Sequence, residues 1–586
     1  MVQLIKIHKW AILLAFLVGV IVAFPQLYFS YDNSETYQGI YVSSTDNEYS
    51  YLNRVQEVRD GHFSLGSPVF KEGKNDPYIQ SPGGEILVAY LGKIFFLDLN
   101  GTILLSRFLF SFLGFLAIYS FVFLITKEKL TASAAAITVI LARFILSRGG
   151  LFALLRGESP VDQFLDLYRP IQPQVSFLFF FAFLVFFWLF FERKQWRWGI
   201  ISALILGISF YIYPYTWSFL CAFLGALFLI LLFRKKKQEA RRIFFLALAG
   251  IIIAIPYFIN VYRLNLYPSL EEISYRFRLV ETHQPILGFL VPTLFVVFLI
   301  FFPKQWKERF IFCLALLIAP FIVLNQQIIT GKELSSGHYH WFYHQPLTII
   351  FLIIILLYWV KFWQARLSAN REKPGPLKKI NAVKVLAFLI IGFSIYTGVI
   401  IQASSYGKSE EKILSDQRYA KVVQWFNLNA QKDEVVLADR YQSDILSIYT
   451  SLNQFYATHS FIYLSATNER TLSSLFLLYR LDGVSGPESE NLFLGEERGV
   501  LSVRVYGTYY KNIAGTASAI PDEILLSFAE KYRNFLLIPL DKIFEIYDIK
   551  YIAWDKINHP RWQLDQYPFL TKVYEEGDFA IYIYNR

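Results

Sequence analysis

From residue 174 to residue 191 the chain reads 174-QVSFLFFFAFLVFFWLFF-191, with no charged side chain. As a helix, a run of this length crosses roughly 30 Å of hydrocarbon. A second run, 347-LTIIFLIIILLYWV-360, has the same character. Apolar blocks of this kind predict helices near 10–29, 103–125, 131–147, 173–191, 199–213, 216–233, 243–260, 286–302, 309–324, 345–360 and 383–403, about eleven in all. The pair 199–213 and 216–233 is split by 211-YIYPY-215, where Pro214 and its tyrosines suit an interfacial turn. With 55% hydrophobic and 17% charged residues over 586 positions, an ordinary soluble globule is excluded. The expectation is a polytopic α-helical membrane protein. Lys6 and Lys9 precede an apolar run from Trp10 to Phe29 that is longer than a signal-peptide core and lacks a small-x-small cleavage site, so it reads as an uncleaved anchor. Cys221 and Cys313 both lie inside apolar blocks, and no disulfide framework is expected.

The formal net charge of +10 would suit a nucleic-acid partner if it formed a patch. Instead it divides the connections into two alternating classes. Lys6 and Lys9, Lys127 and Lys129, 192-ERKQWRW-198, 234-RKKKQEARR-242, 303-PKQWKERF-310 and the 361–379 segment are rich in bases, whereas 30–102, 148–172, 261–285 and 325–344 balance or exceed their bases with acids. The positive-inside rule puts the first class, and the N-terminus, in the cytoplasm. The charge is thus topological, and no nucleic-acid partner is expected. An odd number of spans sends the tail outside, and the acids of that tail outnumber its bases. The chain therefore divides into a transmembrane part, 1–403, and an extracytoplasmic soluble part, 404–586.

The tail alternates strand-like and helical stretches. Runs 434-EVVLAD-439, 501-LSVRVYG-507, 550-KYIAWD-555 and 579-FAIYIY-584 read as strands, and 416–430, 467–481 and 521–535 as helices. Such alternation favours a small α/β domain. No glycine-rich phosphate loop is present in it, and 484-VSGPESENLFLGEERG-499 reads as an irregular loop. Pro374, Gly375 and Pro376 mark 367–380 as a flexible loop on the basic side.

Directly after the first apolar block stands 45-TDNEYSYLNRVQEVRDGHF-63. Thr45-x-x-Glu48 fits a capping box and Gly61 a C-terminal stop. Tyr51, Leu52, Val55 and Val58 recur at helical spacing, predicting a short amphipathic helix lying apolar side down on the outer face. Helix capping alone accounts for Glu48, and the helix dipole for Asp46 in the first turn. Order and place add a second meaning. Asp46-x-Glu48-x-x-Tyr51-x-x-Arg54, closed by Asp60-Gly61, resembles the first external loop of the GT-C superfamily of integral-membrane glycosyltransferases, which includes oligosaccharyltransferase catalytic subunits, protein O-mannosyltransferases and aminoarabinose transferases. The number of helices, the large loop 30–102 and the outside tail match that layout too.

The resemblance implies an inverting glycosyltransferase of a bacterial plasma membrane that moves a sugar from a polyprenyl-phosphate donor to a glycan, lipid or protein acceptor. It makes Asp46 the first choice for the base and Glu48 the second, with Tyr51 and Arg54 as helpers at the same site. The chemistry needs such groups: a carboxylate to orient the acceptor or take its proton, and cations or N–H donors for the departing lipid phosphate.

In the second external loop, 156-RGESPVDQFLDLYRPIQPQ-174, the resemblance to oligosaccharyltransferases implies a divalent metal, Mg or Mn, with Glu158 and Asp162 as ligands. Here the acids stand four apart rather than as a tight pair, and they equally suit pairing with Arg156 and Arg169. The loop 325-NQQIITGKELSSGHYHWFYHQP-346 carries His338, His340 and His344 among aromatics. It reads either as an interfacial aromatic belt or as a phosphate site built from Lys332, His338 and His340; a zinc site lacks a completing acid or cysteine. Glu272 and Arg276 make a possible i,i+4 pair in the third loop. Arg107 and Arg143 interrupt apolar spans, a costly placement that points to the phosphate for Arg107 and to snorkelling or function for Arg143. Two other functions share these features: a transporter or flippase of lipid-linked saccharides, and a non-catalytic membrane protein whose tail binds a partner.

Overall fold

The computed structural model describes residues 2–43, 48–147, 149–274, 276, 280–369, 381–458, 462–507 and 520–585. Asp46 and Thr45 lie outside these residues, as does most of the 367–380 loop. Each of the apolar blocks is helical. Among the described residues seven helices are long and apolar enough to cross a membrane, or eight if the pair Lys237–Ile253 and Ile255–Leu264, bent by 54°, is one span. Lys129–Leu141, Trp196–Ser209 and Leu290–Phe301 are apolar but shorter. At about 1.5 Å per residue they fall short of a 30 Å slab, so length alone does not support eleven spans. The chain is a multi-pass membrane protein.

Helix α1 (Val2–Asp32) packs on α4 (Leu99–Thr126), which also contacts Lys129–Leu141 and Gln174–Arg193. Asp98 caps α4 by accepting from Gly101 N at 2.7 Å, and Lys127 ends it in the left-handed conformation. Between α1 and α4 lie α2 (Glu48–Arg59) and α3 (Gly83–Ile94). The 210–213 turn, where Pro214 starts the next helix, folds against this loop: Gly83 N donates to the Tyr211 carbonyl at 2.7 Å. A Cβ on Gly83 would lie 2.4 Å from that oxygen, so no larger residue fits there without displacement.

The tail carries a mixed sheet of order β4-β3-β5-β7-β6, with β3 (Val435–Leu437), β4 (Asn453–Gln454), β5 (Ile549–Asp555), β6 (Leu570–Glu576) and β7 (Phe579–Tyr584). Strand β3 runs parallel to both neighbours, and β5, β7 and β6 are antiparallel. A separate pair, β1 (Val280–Glu281) and β2 (Lys332–Glu333), joins the 261–285 and 325–344 loops. The small α/β tail is as expected, with two exceptions. Residues 501–507 fall in a helix, Arg498–Tyr506, because Leu501 and Val505 are four apart and share its buried face. The 484–499 stretch holds the helix Gly486–Leu494, started by a Ser485–Glu488 capping box.

The last membrane helix, Ala382–Asp416, continues unbroken past residue 404 into the tail. The 30–102 loop is stitched to that tail. Tyr449 Oη accepts from Tyr41 N at 2.8 Å, Gln454 N donates to Val69 O at 2.8 Å, and Gln417 Nε2 donates to Ile40 O at 2.6 Å. One apolar cluster runs from α1 and α4 through α2 to Val436, Tyr551 and Ile581 of the sheet. A second, around Phe476, Phe493 and Tyr532, belongs to the tail alone.

Helix α2 does not lie exposed on a lipid surface. It is packed against α3 and the tail helix Arg440–Tyr449, and its polar residues Glu48, Asn53, Arg54 and Glu57 are buried with Leu52, Val55 and Val58. A sequence pattern that suits lipid contact suits a second protein layer equally well, and the tail supplies that layer.

Candidate functional site

Glu48 begins α2 and is fully buried. Its Oε2 accepts from Ser43 N at 2.8 Å and from the Ser43 hydroxyl, and its Oε1 pairs with Arg107 Nη2. Arg107 projects from α4 and is fully buried as well. Nη1 donates to Gln26 Oε1 of α1 at 2.6 Å, Nε donates to Tyr168 O at 2.8 Å, and the guanidinium lies 3.7 Å from the Tyr168 ring centre. Tyr168 and Tyr41 share a 2.5 Å hydroxyl contact beside it. A guanidinium so deep is tolerable only with a carboxylate and a full set of acceptors, and both are present. The pair thereby ties two membrane helices, the start of α2 and the second of the acid-balanced loops, 148–172, to one point.

That second loop is the hub. Asp166 and Tyr168 form its 3₁₀ turn, and Asp166 accepts from Arg143 Nη2 at 2.7 Å. Arg143 also donates to Gln345, whose amide is 3.0 Å from His340 Nε2. Arg143 is thus buried in an ion pair and does not snorkel outward. Next in the chain, Arg169 Nη2 donates to Tyr51 Oη at 3.2 Å and lies over the Tyr51 ring at 5.1 Å. Tyr51 and Arg169 are both half-buried, unlike the sealed Glu48–Arg107 pair. Tyr213 stands within electrostatic reach of Tyr51 and Arg169, and its hydroxyl hydrogen-bonds His338 Nδ1. The His338 ring also packs on Tyr215, centroids 4.6 Å apart. Residues from the 30–102, 148–172 and 325–344 loops therefore meet: Tyr51, Arg169 and Asp166, and His338 with His340.

No protein-family model and no curated protein sequence matches the chain. Among solved structures, the apo oligosaccharyltransferase of Archaeoglobus fulgidus superposes with a TM-score of 0.50 at 12% identity, covering 94% of this chain and 69% of that one. The two chains share a fold. ArnT from Cupriavidus metallidurans, solved bound to undecaprenyl phosphate, matches with a TM-score of 0.44 and 10% identity over 98% of both chains.

Within this fold, several expected site residues stand apart from the hub. Arg54 is fully buried, with Nε on Glu85 Oε1 at 2.6 Å and Nη2 on Gln80 O at 3.1 Å, and Tyr463 of the tail lies close to it. It fastens α2 to α3 and is sealed from any substrate. Arg107 likewise faces Glu48 rather than an open surface. Lys332 is exposed on β2, paired across to β1. Glu272 accepts from Asn468 N, and Arg276 donates to Ala466 O at 2.5 Å and Asn468 Oδ1 at 2.6 Å, so both engage the tail.

Among the described residues the implied metal has no donor set. Glu158 is exposed and held by Arg156 of its own loop at 2.8 Å, and Asp162 is exposed and paired with Lys408. Among the described residues no three His, Cys, Asp or Glu side chains converge, which separates His338, His340 and His344 as well. Arg169 is the site residue that sequence reasoning assigned to the loop acids. Asp166 is occupied by Arg143, which leaves Arg169 to turn toward α2.

At the far end of α2 sits a second charged group. Lys74 Nζ contacts Glu57 Oε1 at 2.6 Å, and His62 Nε2 is 3.0 Å from Asp433 of the tail. Burial outweighs Lys74 and raises the Glu57 carboxyl to about 7, and burial raises Asp60 to about 6.

Proposed function

We propose that this chain is an inverting glycosyltransferase that transfers a sugar from a polyprenyl-phosphate donor to an acceptor, on the membrane face that carries the tail and opposite the basic loops. The observation that supports this most directly is the buried Glu48–Arg107 pair. It fixes the start of α2, two residues after Asp46 in sequence, against a membrane helix and beneath a folded tail. A lipid-tethered leaving group requires a reaction centre at that depth.

The roles follow from burial. Glu48 has no exposed surface and its carboxylate is engaged by Arg107 and Ser43, so it positions the loop and does not take a proton. Asp46 is the base that orients the acceptor and accepts its proton. Arg169, half-buried beside Tyr51, stabilises the charge growing on the departing phosphate, with His338, bonded to Tyr213, and His340, beside Gln345, as further donors. The acceptor is a glycan, lipid or protein group presented under the tail.

The test is turnover in membranes supplied with a lipid-linked sugar pool, read as release of polyprenyl phosphate. Asp46→Asn should lower it by about a thousandfold, a typical loss on removing a general base together with its orienting role. Asp46→Asn at full rate, with Glu48→Gln inactive and folded, would overturn the assignment.

A further inference from the structure

Helix α3 is built with its large apolar side chains outward. Gly84, Glu85, Val88, Ala89 and Gly92 form its buried face. That face is made of small residues for close approach: a Cβ on Gly92 would lie 2.0 Å from Thr102 Oγ1 of α4, and one on Gly84 would lie 2.7 Å from Ile171. The other face carries Leu87, Tyr90 and Ile94 at i, i+3 and i+7, and Phe95 and Phe96 continue it past the helix end. All five are exposed, Ile94 by 67% and Phe96 by 95%. A helix bathed in water turns its polar side out, and contiguous exposed apolar residues mark an interaction surface.

Height in the fold indicates what meets this face. Gly83, the first residue of α3, donates its N–H to the Tyr211 carbonyl at 2.7 Å, beside the start of the membrane helix Pro214–Phe233. That helix has 20 residues, so it is about 30 Å long, and Arg234, Lys235 and Lys236 follow its far end. The start of α3 is therefore one hydrocarbon thickness away from the basic loops. At its other end, Gly92 faces Thr102. From Thr102 to Thr126, where α4 ends before Lys127, is about 36 Å at 1.5 Å per residue. A hydrocarbon core of about 30 Å with about 6 Å of headgroups on each side puts that level within the headgroups, and any tilt of α4 lowers it. Over its own length of about 18 Å, α3 thus rises by only about 6 Å and runs along the bilayer surface. Its charges agree with that place. Glu85 is turned inward onto Arg54, with 2.6 Å between Oε1 and Nε. Lys93 is exposed, with Nζ 5.7 Å from the Tyr90 ring centre, so its stem covers apolar surface while the ammonium reaches up to lipid phosphate.

We propose that α3, with Phe95 and Phe96, is immersed in the headgroup–acyl boundary of the leaflet opposite the basic loops, its apolar face among the acyl chains and Lys93 at the phosphates. The lipid contact that the sequence pattern suits on α2 is thereby made one helix later. Because Glu85 on the inner side of α3 holds Arg54 of α2, the depth of α3 in the leaflet sets the height of α2.

The test is spin-label accessibility in the full chain reconstituted in phosphatidylcholine liposomes. Nitroxides are attached at Leu87→Cys, Ile94→Cys and Phe96→Cys, exposed positions where replacement opens no cavity, and at Tyr441→Cys, exposed on the tail. The unsubstituted chain, treated with the same label, supplies the background from Cys221 and Cys313. Collision with oxygen, which concentrates among acyl chains, should exceed collision with a water-soluble nickel chelate roughly threefold or more at 87, 94 and 96, and the ratio should invert at 441. An oxygen-to-nickel ratio at 87, 94 and 96 no higher than at 441 would put the helix in water and overturn the proposal. Exclusion of both relaxing agents, with an immobilised spectrum, would mean that a second copy of the chain or another protein covers the face, and would overturn it as well. The measurement needs no turnover, so its failure leaves the proposed sugar transfer untouched.

Discussion

Breaking the Glu48–Arg107 pair offers a quantitative check on the architecture. Both side chains have no exposed surface. Removing one partner of a buried pair costs about 3–5 kcal/mol, because the other charge is left uncompensated. The two single changes are not equivalent. After Glu48→Gln, Arg107 keeps Gln26, the Tyr168 carbonyl and the Tyr168 ring, and a desolvated cation–π contact alone is worth about 2 kcal/mol. The loss should sit near the lower end, about 3 kcal/mol. After Arg107→Met, Glu48 keeps its bonds from Ser43 but faces no cation at that point, and the loss should approach about 5 kcal/mol. The double variant removes both charges and should cost about 4–5 kcal/mol rather than the sum of about 8, a coupling of about 3–4 kcal/mol. Denaturant unfolding of the four proteins in one detergent measures the cycle. Additivity within about 0.5 kcal/mol would refute the claim that these residues act as one pair.

Two more predictions concern the hub and the far end of α2. Arg169→Lys keeps the charge but loses the fork that reaches Tyr51, and should lower turnover roughly tenfold to a hundredfold, with Tyr51→Phe falling less; unchanged donor turnover in Arg169→Lys would remove Arg169 from the site. The Glu57 carboxyl titrates near 7 when folded, well above its ordinary 4.5, so the folded chain holds more protons than the unfolded one between those values. Its contribution to stability is therefore complete below about pH 4.5 and declines as pH rises toward 7, by at most about 1.4 kcal/mol for each step of one in pH. Unfolding midpoints should fall between pH 5 and 8, and Glu57→Gln should flatten that slope; a slope of the opposite sign would contradict it.

Much of the fold was legible because apolar runs announce helices without tertiary help. The tail sheet was legible where β-branched and aromatic residues alternate, as in 579-FAIYIY-584. The 501-LSVRVYG-507 run misled because its valines at 503 and 505 mimic a strand while Leu501 and Val505 sit one helical turn apart. Ser485 and Glu488 were a readable helix start, obscured by the glycine and proline between them. At the site, residue types and loops were foreseeable but partners were not. Arg54 and Arg107 look like cations awaiting phosphate until burial shows Glu85 and Glu48 already on them. Which of three nearby acids a loop arginine chooses depends on where Arg143 arrives from another helix, and local spacing carries no trace of that.

The helix Ala382–Asp416 runs 35 residues, about 50 Å of continuous hydrogen-bonded rod. A rod offers no hinge, so the globule mounted on it behaves as a fixed roof whose height is set by the bilayer. In the proposed transfer the acceptor therefore reaches the hub from the sides of a stationary cover, and the bulk that it can carry is set by that cover's height rather than by any swing of it.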